Sequence, residues 1–364
     1  MAAKGTMKAL VKHAGKVGLE FRDDSEIPEV GPKDVSIRVM AASICGSDLH
    51  IYDDDPVFRD RVEDGRITGH EFCGEIVNIG SQVTTLAIGD IISAESHVIC
   101  GSCYYCLNGQ AHICQEVSSI GVDRPGGFAE YAVIPAENAV LTPPDIPIEV
   151  AAFLEPFGNA VYTTRYVDLV SKSVLISGCG PQGMMAIAVA KAAGAKQIIA
   201  TEPHEGRQEL ARRILEVHSN SREKNFDIVI NPYDPTALTK IYEATNGIGV
   251  DVVLEMSGSD RAIEDGVNAI KKGGHYIALG LCSKPKIEID WNSLVLKEVT
   301  IRGIYGRLLY QTWFEIHRLL ESGKVILDSL IYPKRFSLEQ FEEAFNLLRD
   351  GKAAKVILYP NGTS

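Results

Sequence analysis

Apolar and polar residues alternate over Val35–Met40, as they do in a strand with one buried face. A longer alternating run extends from Phe72 to Ile92, cut by Gly74, Gly80 and the turn-forming pair Gly89-Asp90. Phe128–Ile134 repeats the pattern and stops at Pro135, which has no N–H to add to a ladder. Strands at this spacing predict a compact β-rich domain up to about residue 155.

The period then changes. Ile148–Phe153 and the residues after Pro156 have helical spacing. Val174–Ser177 predicts a short buried strand, followed by the loop Gly178-Cys179-Gly180-Pro181-Gln182-Gly183 and a helix of small residues through Ala193. Ile198–Thr201 is the next strand. Asp227–Ile230, Val250–Leu254, His275–Leu279 and Val299–Gly303 complete six strands, with helices expected after Pro235 and over Ala262–Ile270. Strands and helices in this alternation predict a doubly wound parallel sheet. In the tail, Trp313–Leu320 and Leu338–Leu348 carry apolar residues at helical spacing, and Lys355–Tyr359 reads as a strand. The polar stretch Glu216–Asp227 reads as a surface loop.

A length of 364 residues accommodates two domains, and 45% hydrophobic with 23% charged residues is ordinary for a globular enzyme. The net charge of −12 argues against nucleic acid or an anionic membrane as partner. Met1–Met7 carries no apolar core of the signal-peptide kind, and no uninterrupted apolar run is long enough to span a bilayer. Four of the eight cysteines cluster at metal spacing and the eight are not spread as disulfide pairs, so a reducing cytoplasm is the expected setting.

Four of those cysteines, Cys100, Cys103, Cys106 and Cys114, fall within fifteen residues. Thiolates at this spacing suit a closed tetrahedral zinc site that stabilises a lobe and leaves no position for chemistry. A second, open site needs about three protein ligands. Cys45 and His70 supply two, Glu71 is an adjacent carboxylate, and Glu155 is a second carboxylate candidate. Spacing does not choose between the two carboxylates. Ser47 and His50 have the side-chain types for proton export, a hydroxyl passing a proton toward an imidazole near solvent. Ser47 also reads as a helix N-cap with Asp48 in the first turn.

The glycine loop follows a strand and opens a helix, the setting of a dinucleotide site. Gly178 permits the tight turn, Gly180 lets backbone approach a pyrophosphate, and Gly183 lets helix and strand pack closely. Glu202 at the next strand end can accept from both ribose hydroxyls and repels a 2′-phosphate, so NAD is expected over NADP. Arg207, one helical turn on, can stack on adenine, pair with ribose or Glu202, or instead tolerate a 2′-phosphate.

With these residues in place, the chain resembles the zinc-dependent medium-chain dehydrogenase/reductase family over nearly its whole length. Gly69-His70-Glu71, the cysteine tetrad and the glycine loop stand in that family's order and approximate spacing. Glu95-Ser96-His97 with the following Cys100 and Cys103, Gly121-Val122-Asp123, Glu155–Ala160, and Gly303–Arg307 with Thr312-Trp313 are similar to the branch that oxidises the 3-hydroxyl of L-threonine. The resemblance implies an α/β fold. A GroES-like β-rich catalytic domain would comprise residues 1–157 and 305–364, with a doubly wound Rossmann domain, 158–304, inserted into it. It implies two zinc ions per chain, one catalytic and one structural, NAD as cofactor, and a homotetramer. By position it assigns Cys45, His70 and Glu71 to catalytic zinc, with Glu155 nearby, and Ser47 and His50 to the relay. It assigns Gln182, Glu202, Arg207, Leu279, Gly280, Leu281, Ile304 and Tyr305 to NAD, and makes His97 a candidate for substrate choice. The implied substrate is a small molecule, L-threonine or another secondary alcohol. Two features depart from that branch: Ser47 stands where threonine is usual and serine is common in polyol dehydrogenases, and the 216–227 loop is long. Sorbitol- or butanediol-type oxidation is therefore the first alternative. A non-catalytic zinc- and nucleotide-binding protein is the second, disfavoured by the Cys45, Ser47, His50, His70 and Glu71 set.

Overall fold

The computed structural model describes residues 5–218, 227–282, 284 and 286–362. The chain divides into two compact units, Met1–Pro156 with Ile331–Ser364, and Phe157–Leu330.

The first unit is built around the strand Asp34–Ser43. Its alternate residues Val35, Ile37 and Val39 are fully buried, as the pattern requires. Antiparallel partners flank it: Glu71–Ile79 on one side, Tyr131–Pro135 and Ile357–Leu358 on the other. Ile91–Ala94 and Ala139–Leu141 extend the sheet beyond Glu71–Ile79. Phe72, Phe128, Phe336 and Phe345 fill the core beneath these strands. Pro135 is the last residue of its strand and not the first beyond it, a position where the missing N–H costs no ladder bond. A smaller sheet adds Thr6–Lys12, Glu20–Glu26 and Arg66–Ile67. The charged strand Glu20–Glu26 lies at its edge, so pairing and not apolar alternation makes it a strand. The expected Leu338–Leu348 helix begins as a single 3-10 turn, Leu338–Gln340, closed by a Ser337–Gln340 capping box, and continues as Phe341–Arg349.

The second unit holds a six-stranded sheet, all parallel, in the spatial order Ile228–Ile230, Gln197–Thr201, Ser173–Ser177, Val250–Glu255, Ile270–Ala278, Thr300–Gly303. The order reverses between the strands that begin at Ser173 and Val250, where ligands bind in such sheets. The helix Pro181–Ala192 is buried from Gly183 to Ala190, which is why its sequence is uniformly small and apolar. The unit runs on to Leu330, past the boundary expected at 305. Arg307 and Ile316 lie against Gly158 on the helix Leu154–Arg165, and Trp313 is buried, so the helix Gln311–Glu321 is part of this core. Of the stretch read as a 216–227 loop, Glu216 and Val217 end the helix Glu205–Val217. Asp227 accepts the Ile198 N–H at 2.7 Å and pairs with Lys191; residues 219–226 lie outside the described residues. No helix among the described residues is long and apolar enough to cross a membrane.

His218 closes this unit locally. Its Nδ1 lies 2.9 Å from the Ile214 carbonyl, and its Nε2 accepts the Ile326 N–H at 3.0 Å. Burial, with Lys191 nearby, holds the imidazole below its ordinary value. The neutral ring fits the fold, so its contribution is complete above the unfolded value of about 6.5 and is lost as pH falls below it. In urea denaturation between pH 7.5 and 5.5, the wild-type chain should lose more stability than His218→Gln, whose amide stays neutral. Equal losses would remove His218 as a source of the pH dependence.

Candidate active site and structural metal centre

Three strand ends converge in the first unit. The register pairs Ser43 with Glu71 on one side and with Ile357 on the other, and Ile44 N–H donates to the Val356 carbonyl. Cys45, His70-Glu71 and Lys355 therefore emerge together, although they come from three distant segments. One ligand atom from each of Cys45, His70 and Glu71 lies within 4.8 Å of the others. Gly69, at φ +89°, is required for this approach, because a Cβ there would sit 2.4 Å from the Phe128 ring.

Supporting groups fix each donor. Asp48 accepts the Cys45 N–H at 2.8 Å and stands 3.4 Å from His70 Nδ1, which leaves Nε2 to face the cluster. Burial disfavours the His70 imidazolium, but the charges of Asp48 and Cys45 outweigh it and raise the ring well above its ordinary value. Glu71 is fully buried, and both its oxygens accept from Lys355 Nζ, at 2.8 and 2.6 Å. Lys355 is itself 1% exposed and has no counterpart in the sequence reading. The donor set of thiol, imidazole and carboxylate fits zinc with a position left over.

Ser47 is the second residue of the helix Gly46–Tyr52, not its cap. Cys45 holds the cap, in a box completed by Asp48, because the strand end delivers Cys45 to that position. Ser47 Oγ is 3.4 Å from His70 Nε2, beside the cluster. His50, one turn on, is exposed and pairs with Asp55 at 3.0 Å. Glu155 stands outside the three-donor group; its buried carboxylate accepts from Ser96 Oγ. His97 is half-buried on the short strand His97–Val98.

The cysteine tetrad forms a second cluster. Four sulfurs about 2.3 Å from a central zinc lie about 3.8 Å apart in a tetrahedron. Here Cys103 is 3.5 Å from Cys106 and 3.8 Å from Cys114, and Cys114 is 3.5 Å from Cys100. All eight cysteines are free of disulfides. The Cys106 and Gln115 N–H groups pull Cys103 down to about 6, whereas burial and the neighbouring thiols push Cys106 up to about 12. The tetrad fits a closed zinc site.

In the second unit, Gly178 takes φ +91° and Gly183 packs against it: a Cβ on Gly183 would stand 1.9 Å from the Gly178 carbonyl oxygen. Gly180 caps the helix and faces open space, as a pyrophosphate cradle requires. Gln182 is half-buried in the first helical turn, with its Oε1 enclosed. A cavity of about 140 Å³ adjoins the loop and is lined by Glu202 and Arg207, with Tyr233 and Arg261. Glu202 is buried and accepts the Cys179 and His204 N–H groups at 2.9 and 3.0 Å, which binds it to the loop it serves. Arg261, over the Tyr233 ring at 4.9 Å, lacks any motif that would have revealed it. Leu279 and Gly280 are half-buried, Ile304 is buried, and Leu281 and Tyr305 are exposed.

Residues 31–144 match the alcohol dehydrogenase GroES-like domain, and 181–322 match the zinc-binding dehydrogenase model. The chain belongs to the zinc-dependent medium-chain dehydrogenase/reductase family. It is 44% identical, over 96% of its length and 98% of the relative's, to L-threonine 3-dehydrogenase of Pyrococcus horikoshii. Among solved structures, 2R,3R-butanediol dehydrogenase from Bacillus subtilis superposes with a TM-score of 0.86 at 27% identity, covering 98% of this chain and all of that one. An Escherichia coli alcohol dehydrogenase complexed with NADH gives 0.84 at 26% identity, covering 98% of this chain and 99% of that one.

Removing one partner of a buried pair strands the other charge, at a cost of about 3–5 kcal/mol. Lys355→Ala should therefore lose about that much stability in urea denaturation, and Lys355→Ala with Glu71→Ala should recover part of it. A negligible loss in the single variant would show that Glu71 takes another partner.

Proposed function

We propose that the chain is a NAD-dependent zinc enzyme that oxidises the 3-hydroxyl of L-threonine to give 2-amino-3-ketobutyrate. The observation that carries this is the cluster of half-buried Cys45 and His70 with buried Glu71, three zinc-type donors in a chain that also carries the Gly178–Gly183 cradle. The full-length relative named L-threonine 3-dehydrogenase supports the substrate.

Cys45 and His70, with Glu71 beside them, would hold the catalytic zinc; the four cysteines would hold a structural one. When bound, the catalytic ion supplies a Lewis acid that lowers the pKa of a substrate hydroxyl. Ser47 Oγ accepts the hydroxyl proton and passes it toward His50, which is exposed and lies 3.0 Å from Asp55. NAD, when bound, would supply the acceptor for the hydride on substrate C3, giving one NADH and one proton per threonine oxidised. Glu202 and Arg207 serve the adenosine end of NAD, with Glu202 repelling a 2′-phosphate. Gln182, Leu279, Gly280, Leu281, Ile304 and Tyr305 contribute the remaining cofactor contacts. Glu155, held by Ser96, would influence coordination at the metal and, with His97, read the substrate beyond its hydroxyl.

Diol or polyol oxidation is the second reading, favoured by Ser47 and by the likeness to a butanediol dehydrogenase. Initial rates with NAD should be high on L-threonine and low on butane-2,3-diol and sorbitol. The reverse order would move the assignment to that reading. Metal analysis should find two zinc ions per chain, and one in Cys103→Ser. A single zinc without turnover on any alcohol would point to a non-catalytic nucleotide-binding protein.

The cytoplasm is the proposed setting, supported by the eight free cysteines. A homotetramer is the proposed assembly. The edge strand Thr300–Gly303 is exposed throughout, and Trp291, Val295 and Leu296 are exposed nearby at 63, 60 and 79%. An unpaired edge beside apolar residues favours association. Light scattering should give the mass of four 39.6 kDa chains; a monomeric mass would reject self-association.

A further inference from the structure

The corner at Glu95–His97 is where the strand Ile91–Ala94 leaves its sheet and delivers Ser96 and His97. The ladder with Ala139–Leu141 pairs Ala94 with Ala139, and its last bond runs from Glu95 N–H to the Asn138 carbonyl at 2.8 Å. Beyond that bond the Asn138 side chain takes the Glu95 and His97 carbonyls, its Nδ2 donating to each at 2.9 Å. The side chain is 1% exposed, and its Oδ1 has no hydrogen-bond partner, so its role here is donation alone. Glu95, fully buried, adds a second tie by accepting the His97 N–H at 2.8 Å.

What this corner carries is the set of groups assigned above to substrate reading. Ser96 Oγ donates to the Glu155 carboxylate, and His97 leads into the short strand that pairs with Ser118–Ser119. We propose that Asn138 is a positioning residue for substrate recognition: its amide replaces backbone pairing at the corner and so sets Ser96, Glu155 and His97. Resting on the reading of Glu155 and His97 given above, the inference reaches a residue about forty positions away in sequence. The amide can do this because it offers two hydrogens in fixed geometry, which no hydroxyl does. A shift of the corner by a fraction of an ångström misplaces both groups while leaving the Cys45, His70 and Glu71 donors and the nucleotide cradle, which lie on other segments, as they were.

Steady-state kinetics on the zinc-loaded enzyme test this. Asn138→Ala should raise the KM for L-threonine by about tenfold or more and lower kcat/KM accordingly. The KM for NAD and a content of two zinc ions should stay at wild-type values. Asn138→Ser keeps one donor, should fall between the two, and serves where Asn138→Ala does not fold. Turnover of butane-2,3-diol, which lacks the amino and carboxylate groups, should change less than that of L-threonine. A wild-type KM for L-threonine in both variants overturns the proposal, as does a parallel loss of NAD affinity or zinc. Glu155→Gln and His97→Ala separate the two levels. If they too leave the threonine KM unchanged, the substrate reading fails; if they raise it while the Asn138 variants do not, only the positioning role fails.

Discussion

The buried pair of Glu71 with Lys355 is the constraint on which the first unit depends. Two charges in a water-excluded interior are stable only when each satisfies the other, and here both carboxylate oxygens meet one ammonium. The pair joins residues 284 positions apart, so the last segment of the chain has to return to the sheet that the first segment began. Ile357–Leu358 then pairs with Asp34–Ser43, and the strand ends that carry Cys45, His70 and Glu71 are held in one place. Lys355 also decides what Glu71 is. The carboxylate in the donor cluster is already paired with an ammonium, so an ion held there would share it with Lys355.

A different constraint governs the second unit: backbone crowding. The glycine loop is tight because Gly183 approaches the Gly178 carbonyl more closely than any Cβ permits, and Gly180 is left facing open space at a helix N-terminus. Glu202 is bound into the same turn through the Cys179 N–H. The residue proposed to discriminate ribose from ribose phosphate is thus fixed by the loop proposed to hold the pyrophosphate, so that the adenosine ribose and the pyrophosphate would be read by one rigid piece.

The sites differ in how far apart their parts lie. The tetrad spans fifteen residues, and thiol spacing in a short loop almost determines whether four sulfurs can meet around one ion. The glycine cradle is equally local, a strand end, a turn and a helix start, and its steric rules act between neighbours. Six strands of the nucleotide-binding sheet were legible for the same reason: buried parallel strands are short apolar runs. The charged strand Glu20–Glu26 was not, because its pairing with Thr6–Lys12 and not its own composition makes it a strand.

Residue types and local spacing alone determined the fold class, the tetrad, the cradle, and the pairing of Cys45 with His70 and a carboxylate. Tertiary structure decided which carboxylate stands with them, because only the register of Ser43 with Glu71 brings that strand end beside Cys45. It decided that Cys45, and not Ser47, caps the helix that follows. It also supplied Lys355, Asp48, Asn138 and Arg261, none of which belongs to a motif. Their partners lie on other segments, and hydrogen bonds and charges act through space over a few ångströms, a distance that separation along the chain does not encode.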